Sequence, residues 1–189
     1  MRNHFTQHLC LRDIILEYKP ALIVECGCSY GQNTMYLRSL HPEYPFRLIS
    51  ISDDRLFPAI MPDKETDTFT FIQGISYLEL PKFDDTSIGL CIIDTDHNYY
   101  TLQQELAALY PKLIPGGLIA LHDTVMFSKL SGKKMNYGTH DPYPMQLIDQ
   151  YAEQGLSMGQ AIQEFLRDHP TAKIVKQVEE SNGAMLIQI

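Results

Sequence analysis

The chain has 189 residues and a formal net charge of −8, with 44% hydrophobic and 20% charged residues. That is enough for one domain with a sizeable core and short of two ordinary ones. Lysine and arginine never cluster beyond two neighbours, so neither nucleic acid nor a membrane surface is an expected partner, and no apolar run approaches the roughly 20 residues of a membrane span.

The N-terminal residues MRNHFTQH lack an apolar signal core, and the expected location is cytoplasmic. Residues 5–18 place Leu9, Ile14, Ile15 and Tyr18 at near-helical spacing before Pro20, which predicts a helix beside the sheet. Residues 21–24 read as a first strand. The acid Glu25 and the glycines Gly27 and Gly31 follow, and a helix is expected over 33–40, stopped by His41-Pro42. Residues 46–51 form a second strand, ahead of Ser52, Asp53 and Asp54. A loop or broken helix covers 58–67, a third strand 69–72, and a short helix 75–80.

The run IGLCII at 88–93 is the most continuous apolar stretch and reads as a central strand buried on both faces. A helix over 101–110 presents Leu102, Leu106 and Leu109 on one face and ends at Pro111. Pro115-Gly-Gly reads as a turn, and 118–121 as a fifth strand with His122 and Asp123 at its end. A long polar loop follows over 127–144. Residues 145–153 and 158–168 have helical spacing, and 172–178 with 184–189 pair around the turn signal Ser181-Asn182-Gly183.

Five alternating units predict an α/β, Rossmann-like, doubly wound sheet of seven strands, mostly parallel, closed by a C-terminal β-hairpin near one edge. Residues 1–189 read as a single domain, with a lid or substrate loop at about 127–158. The cysteines Cys10, Cys26, Cys28 and Cys91 are expected to be reduced, and the lone C-x-C pair Cys26/Cys28 is weak evidence for zinc.

Ligands of such sheets collect at the carboxyl ends of the strands. Those ends carry Glu25, Gly27, Ser29 and Gly31, then Asp53 and Asp54, then Gly74 and Ser76, then Asp94, Asp96 and His97, and last His122 and Asp123. The loop E-x-G-x-x-x-G has an acid where a dinucleotide loop has its first glycine. An acid there would repel a pyrophosphate but suits a cationic ligand such as S-adenosylmethionine. Asp53 or Asp54 is placed to accept from ribose hydroxyls. The plainer alternative is that Glu25 caps the turn that follows it.

The stretch 24–34, VECGCSYGQNT, resembles the first motif of class I S-adenosylmethionine-dependent methyltransferases. IIDTDHNY at 92–99 and LIPGGLIALHDT at 113–124 resemble the later motifs of the catechol-type and antibiotic- or sugar-tailoring O-methyltransferases. The resemblance implies O-methylation of a small-molecule hydroxyl, with Glu25, Gly27, Cys28, Ser29, Gly31, Asn33, Asp53, Ser76 and Asp94 at the cofactor. It implies Asp94, His122 and Asp123 as ligands of a divalent metal, and Asp94 with His97 as the catalytic pair. The family has an oxygen ligand where His122 stands, which leaves three readings: His122 is not a ligand and the ion is magnesium, the ion is a softer one such as manganese, iron or zinc, or the site is vacant. For His122 the alternative is an ordinary hydrogen-bonded residue, and for His97 a helix-start residue that orients the acids. Ile75 replaces the family's adenine-binding acid and Ser52 its ribose acid. Two rivals stay open: a non-catalytic protein that binds S-adenosylmethionine or S-adenosylhomocysteine (SAH), and a nicotinamide-dependent oxidoreductase. A homodimer is the assembly to test for.

Overall fold

A computed structural model describes residues 9–28, 31–50, 66–126, 144–180 and 182–189. In chain order the elements are α1 (Leu11–Tyr18), β1 (Ile23–Cys26), α2 (Gln32–Leu40), β2 (Phe46–Ser50), β3 (Phe69–Gln73) and α3 (Ser76–Glu79). Next come β4 (Ile88–Ile93), α4 (Tyr99–Leu109), β5 (Leu113–His122), α5 (Met145–Glu153), α6 (Met158–Asp168), β6 (Lys173–Val178) and β7 (Ala184–Gln188). They build one seven-stranded sheet in the order β3-β2-β1-β4-β5-β7-β6. The first five strands are parallel, and β7 runs antiparallel to both β5 and β6. The expected sheet, with its C-terminal hairpin, is the one observed.

Every residue of β4 is buried because helices cover both faces of the sheet, which is why that strand is apolar throughout rather than alternating. On one face Leu102, Leu106 and Leu109 of α4 and Ile162 and Phe165 of α6 pack against Cys91, Ile93, Ile119 and Leu121. On the other, Leu11 and Ile15 of α1 and Leu37 of α2 pack against Ile23, Leu48, Leu90 and Ile92. Asn98 caps α4 by accepting from the Thr101 amide at 2.8 Å, which fixes where that helix begins.

Three sequence expectations shift. The first strand runs two residues past its expected end at residue 24, so Glu25 lies inside β1 and not beyond it. Pairing with Leu48 on one side and Ile92 on the other extends the strand, a non-local gain that the glycines downstream do not oppose. The fourth helix starts at Tyr99 rather than 101, set by the Asn98 cap. Pro115-Gly-Gly is not a free turn but a bulge within β5, where the register jumps from Ile88↔Leu113 to Leu90↔Leu118. Gly116 takes the left-handed conformation there, at φ +79°, and the proline has no ladder donor to lose. Among the described residues no helix is long and apolar enough to cross a membrane.

Candidate active site at the strand ends

The sheet order reverses between β1 and β4, and the loops after these two strands meet at that point. Gly27 makes the meeting possible. At φ +83° it is in a conformation glycine tolerates, its amide donates to the Ile49 carbonyl at 2.8 Å, and a Cβ there would collide with the Asp94 carbonyl oxygen. The glycine turn therefore lies directly on the Asp94 peptide. Gly31, at φ +69°, opens α2, and its amide donates to the Cys28 carbonyl.

Glu25 is buried on the α2 side of the sheet. Asn33 Nδ2 donates to one of its oxygens and Thr34 Oγ1 to the other, each at 2.5 Å. The carboxyl thus anchors the first turn of α2 beneath the glycine loop. Cys28 is buried, with Sγ 3.3 Å from Ser50 Oγ. Ser76 is buried too, and its hydroxyl donates to Glu105. Ser29, Asp53, Asp54 and the loop residues 127–143 lie outside the described residues.

At the ends of β4 and β5 four side chains converge. His122 Nδ1 is 3.0 Å from Asp94 Oδ1 and 3.2 Å from Asp123 Oδ1. His97 Nε2 is 3.2 Å from Asp94 Oδ1 and 3.4 Å from Asp123 Oδ2. His97 and Asp123 both have positive φ, at +52° and +56°, which costs a side-chain-bearing residue energy and tends to mark a functional constraint. One donor atom from each of Asp94, His97 and His122 lies within 4.8 Å of the others. This set differs from the expected Asp94, His122 and Asp123: it takes in His97, and Asp123 stands beside both rings. Nothing in the spacing D-x-x-H could show that the loop after β4 turns back through a left-handed His97.

The electrostatics follow from this packing. Burial works to raise Asp94, but the hydrogen bonds and charges of His122 and His97 hold its carboxyl well below the usual range. Burial opposes a charged His122, yet Asp94 and Asp123 lift its ring above the ordinary imidazole value. Two polar atoms nearby, Asp96 Oδ1 and Thr124 Oγ1, are buried with no hydrogen-bond partner among the described residues. Such atoms are costly to leave unsatisfied.

A family model described as a methyltransferase domain matches residues 24–124, more than half of the chain. The chain belongs to the methyltransferase-domain family. The match begins in β1 and ends just past Asp123, so it takes in both the glycine turn and the four converging side chains of this methyltransferase. Solved structures agree on the fold. SAH-bound PaMTH1 from Podospora anserina is 14% identical over 99% of this chain and 79% of its own, with a TM-score of 0.65. An O-methyltransferase from Bacillus cereus in complex with SAH is 17% identical over 97% of this chain and 80% of its own, with a TM-score of 0.63. MycE of the mycinamycin biosynthetic pathway, in complex with Mg and SAH, is 20% identical over 98% of this chain and 48% of its own, with a TM-score of 0.59. No curated protein matches the chain.

Sequence reading passed over Glu105, which is wholly buried on the sheet-facing side of α4. The signal was present: an acid at the third position after Leu102 and the fourth before Leu109 interrupts an otherwise apolar face. It joins Glu25 and Asp96 as buried acids that keep their protons to higher pH than usual. Burial pushes Glu25 up to about 7, Asp96 to about 6 and Glu105 to about 8. The unfolded chain gives up these protons near pH 4, whereas the fold keeps them, so stability falls as pH rises from there to about 8. His122 acts in the same direction, because its raised value makes a contribution that is lost at high pH. Asp94 acts oppositely, but only below its ordinary value of 3.8. The unfolding free energy is expected to drop by on the order of a few kcal/mol between pH 6 and 8.5 in denaturant titrations, and by less in Glu25→Gln. A flat or rising profile in the wild type would contradict this linkage.

Proposed function

We propose that this chain is an S-adenosylmethionine-dependent methyltransferase that methylates a hydroxyl of a small molecule with the help of a divalent metal. The observation that carries the reading is the contact between the Gly27 turn and the Asp94 peptide. It sets a cofactor-type glycine loop against the carboxylate that engages both His97 and His122. The SAH bound to PaMTH1, to the Bacillus cereus O-methyltransferase and to MycE supports the cofactor, and the Mg of MycE supports a metal on this fold.

The residues fit both groups. Gly27 and Gly31 leave backbone room at the N-terminus of α2, where an anionic carboxylate is favoured. Asp94, His97 and His122 offer one oxygen and two nitrogens, a donor set that suits manganese, iron or zinc better than magnesium. Bound there, the cofactor supplies an electrophilic methyl on a sulfonium, and the metal supplies a positive charge that favours an ionised hydroxyl. Asp94 orients the two imidazoles. His97 Nε2, between Asp94 and Asp123, would be the second nitrogen ligand of a bound ion; only when it holds no ion is that nitrogen placed to take the hydroxyl proton, with the two acids favouring the charged ring that results. Unpartnered Asp96 Oδ1 is available to accept from a ligand donor.

The test is calorimetry with S-adenosylmethionine, SAH and NADH, followed by titration with MnCl2, ZnCl2 and MgCl2. Binding of the first two, none of NADH, and manganese or zinc tighter than magnesium by about 10-fold or more is the expected result. No binding of either adenosyl compound removes the enzyme reading and the binding-protein rival together. Binding without methyl transfer to any of a panel of catechols and sugars favours the rival. Magnesium binding as tight as manganese would reject the nitrogen-rich ligand set.

A further inference from the structure

Glu105 sits on α4 among Leu102, Leu106 and Leu109, removed from solvent. An ionisable group in such a layer is tolerated only when hydrogen-bonded. Both carboxyl oxygens are engaged: Ser76 Oγ donates to Oε1, and Thr95 Oγ1 donates to Oε2 at 3.1 Å. When the acid is protonated its own O–H can donate to one of these hydroxyls in return, so both ties survive in the neutral form.

The two partners belong to different walls of the site. Ser76 opens α3 immediately after β3, and Thr95 directly follows Asp94 at the end of β4. In the sheet β3 and β4 are not neighbours, because β2 and β1 lie between them. One side chain, projecting from the helix that packs over the sheet, therefore spans two loops that flank the ends of β1 and β2, where the Gly27 turn stands.

We propose that Glu105 is a positioning residue that fixes the separation of the loops after β3 and β4, and with it the width of the cofactor crevice between them. The proposal rests on the reading that S-adenosylmethionine binds at these strand ends. Glu105 touches no ligand; it acts through Ser76 and Thr95. Its charge state enters because burial, and the neighbouring charge of Asp96, keep the acid neutral at pH 7. Asp96 from the loop after β4, Tyr77 from α3 and Cys26 from β1 all sense it electrostatically. Ionisation would put an anion in an apolar layer beside Asp96, a cost that the bonds from Ser76 and Thr95, although they favour the charged form, do not offset, so the layer would open toward water.

SAH calorimetry on the full chain tests this, with Glu105→Leu, Glu105→Gln and Thr95→Val beside the wild type at pH 7 and 9. Glu105→Leu is expected to weaken SAH about 10-fold or more and Thr95→Val about 3-fold, while Glu105→Gln stays within about 3-fold of wild type. From pH 7 to 9 the wild type should lose SAH affinity and Glu105→Gln should lose less, a difference that a purely space-filling residue would not show. Should circular dichroism find Glu105→Leu unfolded, Thr95→Val decides, since it breaks one tie at a partly exposed loop position. Wild-type affinity in Glu105→Leu or in Thr95→Val, an amide variant as weak as the leucine variant, or an equal pH slope in wild type and amide would each overturn the proposal while leaving the cofactor reading intact. A wild type that does not bind SAH overturns the cofactor reading, and this proposal with it.

Discussion

Replacing Asp94 by Ala is expected to lower methyl transfer by about 10³-fold or more, a loss of ~4 kcal/mol of transition-state stabilisation. The carboxylate is the hub of the site, within 3.2 Å of both His97 Nε2 and His122 Nδ1. Without it, two imidazoles whose centroids are 6.2 Å apart share Asp123 alone. Their orientation and their affinity for a cation both fall. Asp94→Asn separates shape from charge: it keeps the outline but removes the anion that raises His122, so the ring's titration, followed by NMR, should move down toward its ordinary value. Turnover is read as SAH release with a panel of small-molecule hydroxyl acceptors, and metal affinity by MnCl2 calorimetry. Wild-type turnover in Asp94→Ala would end the metal-assisted mechanism, whatever the acceptor.

Gly27→Ala should be the most damaging glycine-to-alanine change among the described residues. Alanine at φ +83° costs ~1–2 kcal/mol in backbone strain. The methyl would also meet the Asp94 carbonyl oxygen, and lie 2.8 Å from the Asp94 carbonyl carbon and 3.1 Å from Thr95 Cα. These are backbone atoms of an adjacent strand end and cannot rotate aside, so overpacking adds about 1–3 kcal/mol or more. Together this is a large share of the ~5–15 kcal/mol that stabilises a typical domain. Gly155→Ala is the control. Its φ is +75° but nothing lies within 4 Å of the added methyl, so it should cost only the backbone strain, ~1–2 kcal/mol. The difference between the two variants in denaturant unfolding measures the close approach of the glycine turn to Asp94. Equal destabilisation would mean that this approach is not tight. SAH binding should be lost in Gly27→Ala and kept in Gly155→Ala.

Sequence alone determined what is local. The apolar run of β4, the bounds of α5 and α6, and the alternation that dictates a parallel sheet with a final hairpin all follow from periodicity and from prolines and glycines at element ends. The same holds for the glycine turn after β1 and for the positions of Asp94, His97, His122 and Asp123 at strand ends, since a strand end is where an apolar run stops. Tertiary structure decided what those residues do to one another. Glu25 read as a group suited to a cationic ligand or as a cap of the turn that follows, and the fold ties its two oxygens to Asn33 and Thr34 of α2, contacts that depend on β1 being paired on both sides. Pro115-Gly-Gly read as a turn and became a bulge for the same reason: ladder pairing with β4 and β7 outweighs local turn preference. His97 joined Asp94 and His122 only because a left-handed backbone carries the loop back over the strand end. Glu105 acquired its partners Ser76 and Thr95 from 29 and 10 residues away. Hydrogen-bond partners and pKa values depend on which groups burial brings within 3 Å, and that distance is set by how helices seat on the sheet, a relation that no spacing along the chain encodes.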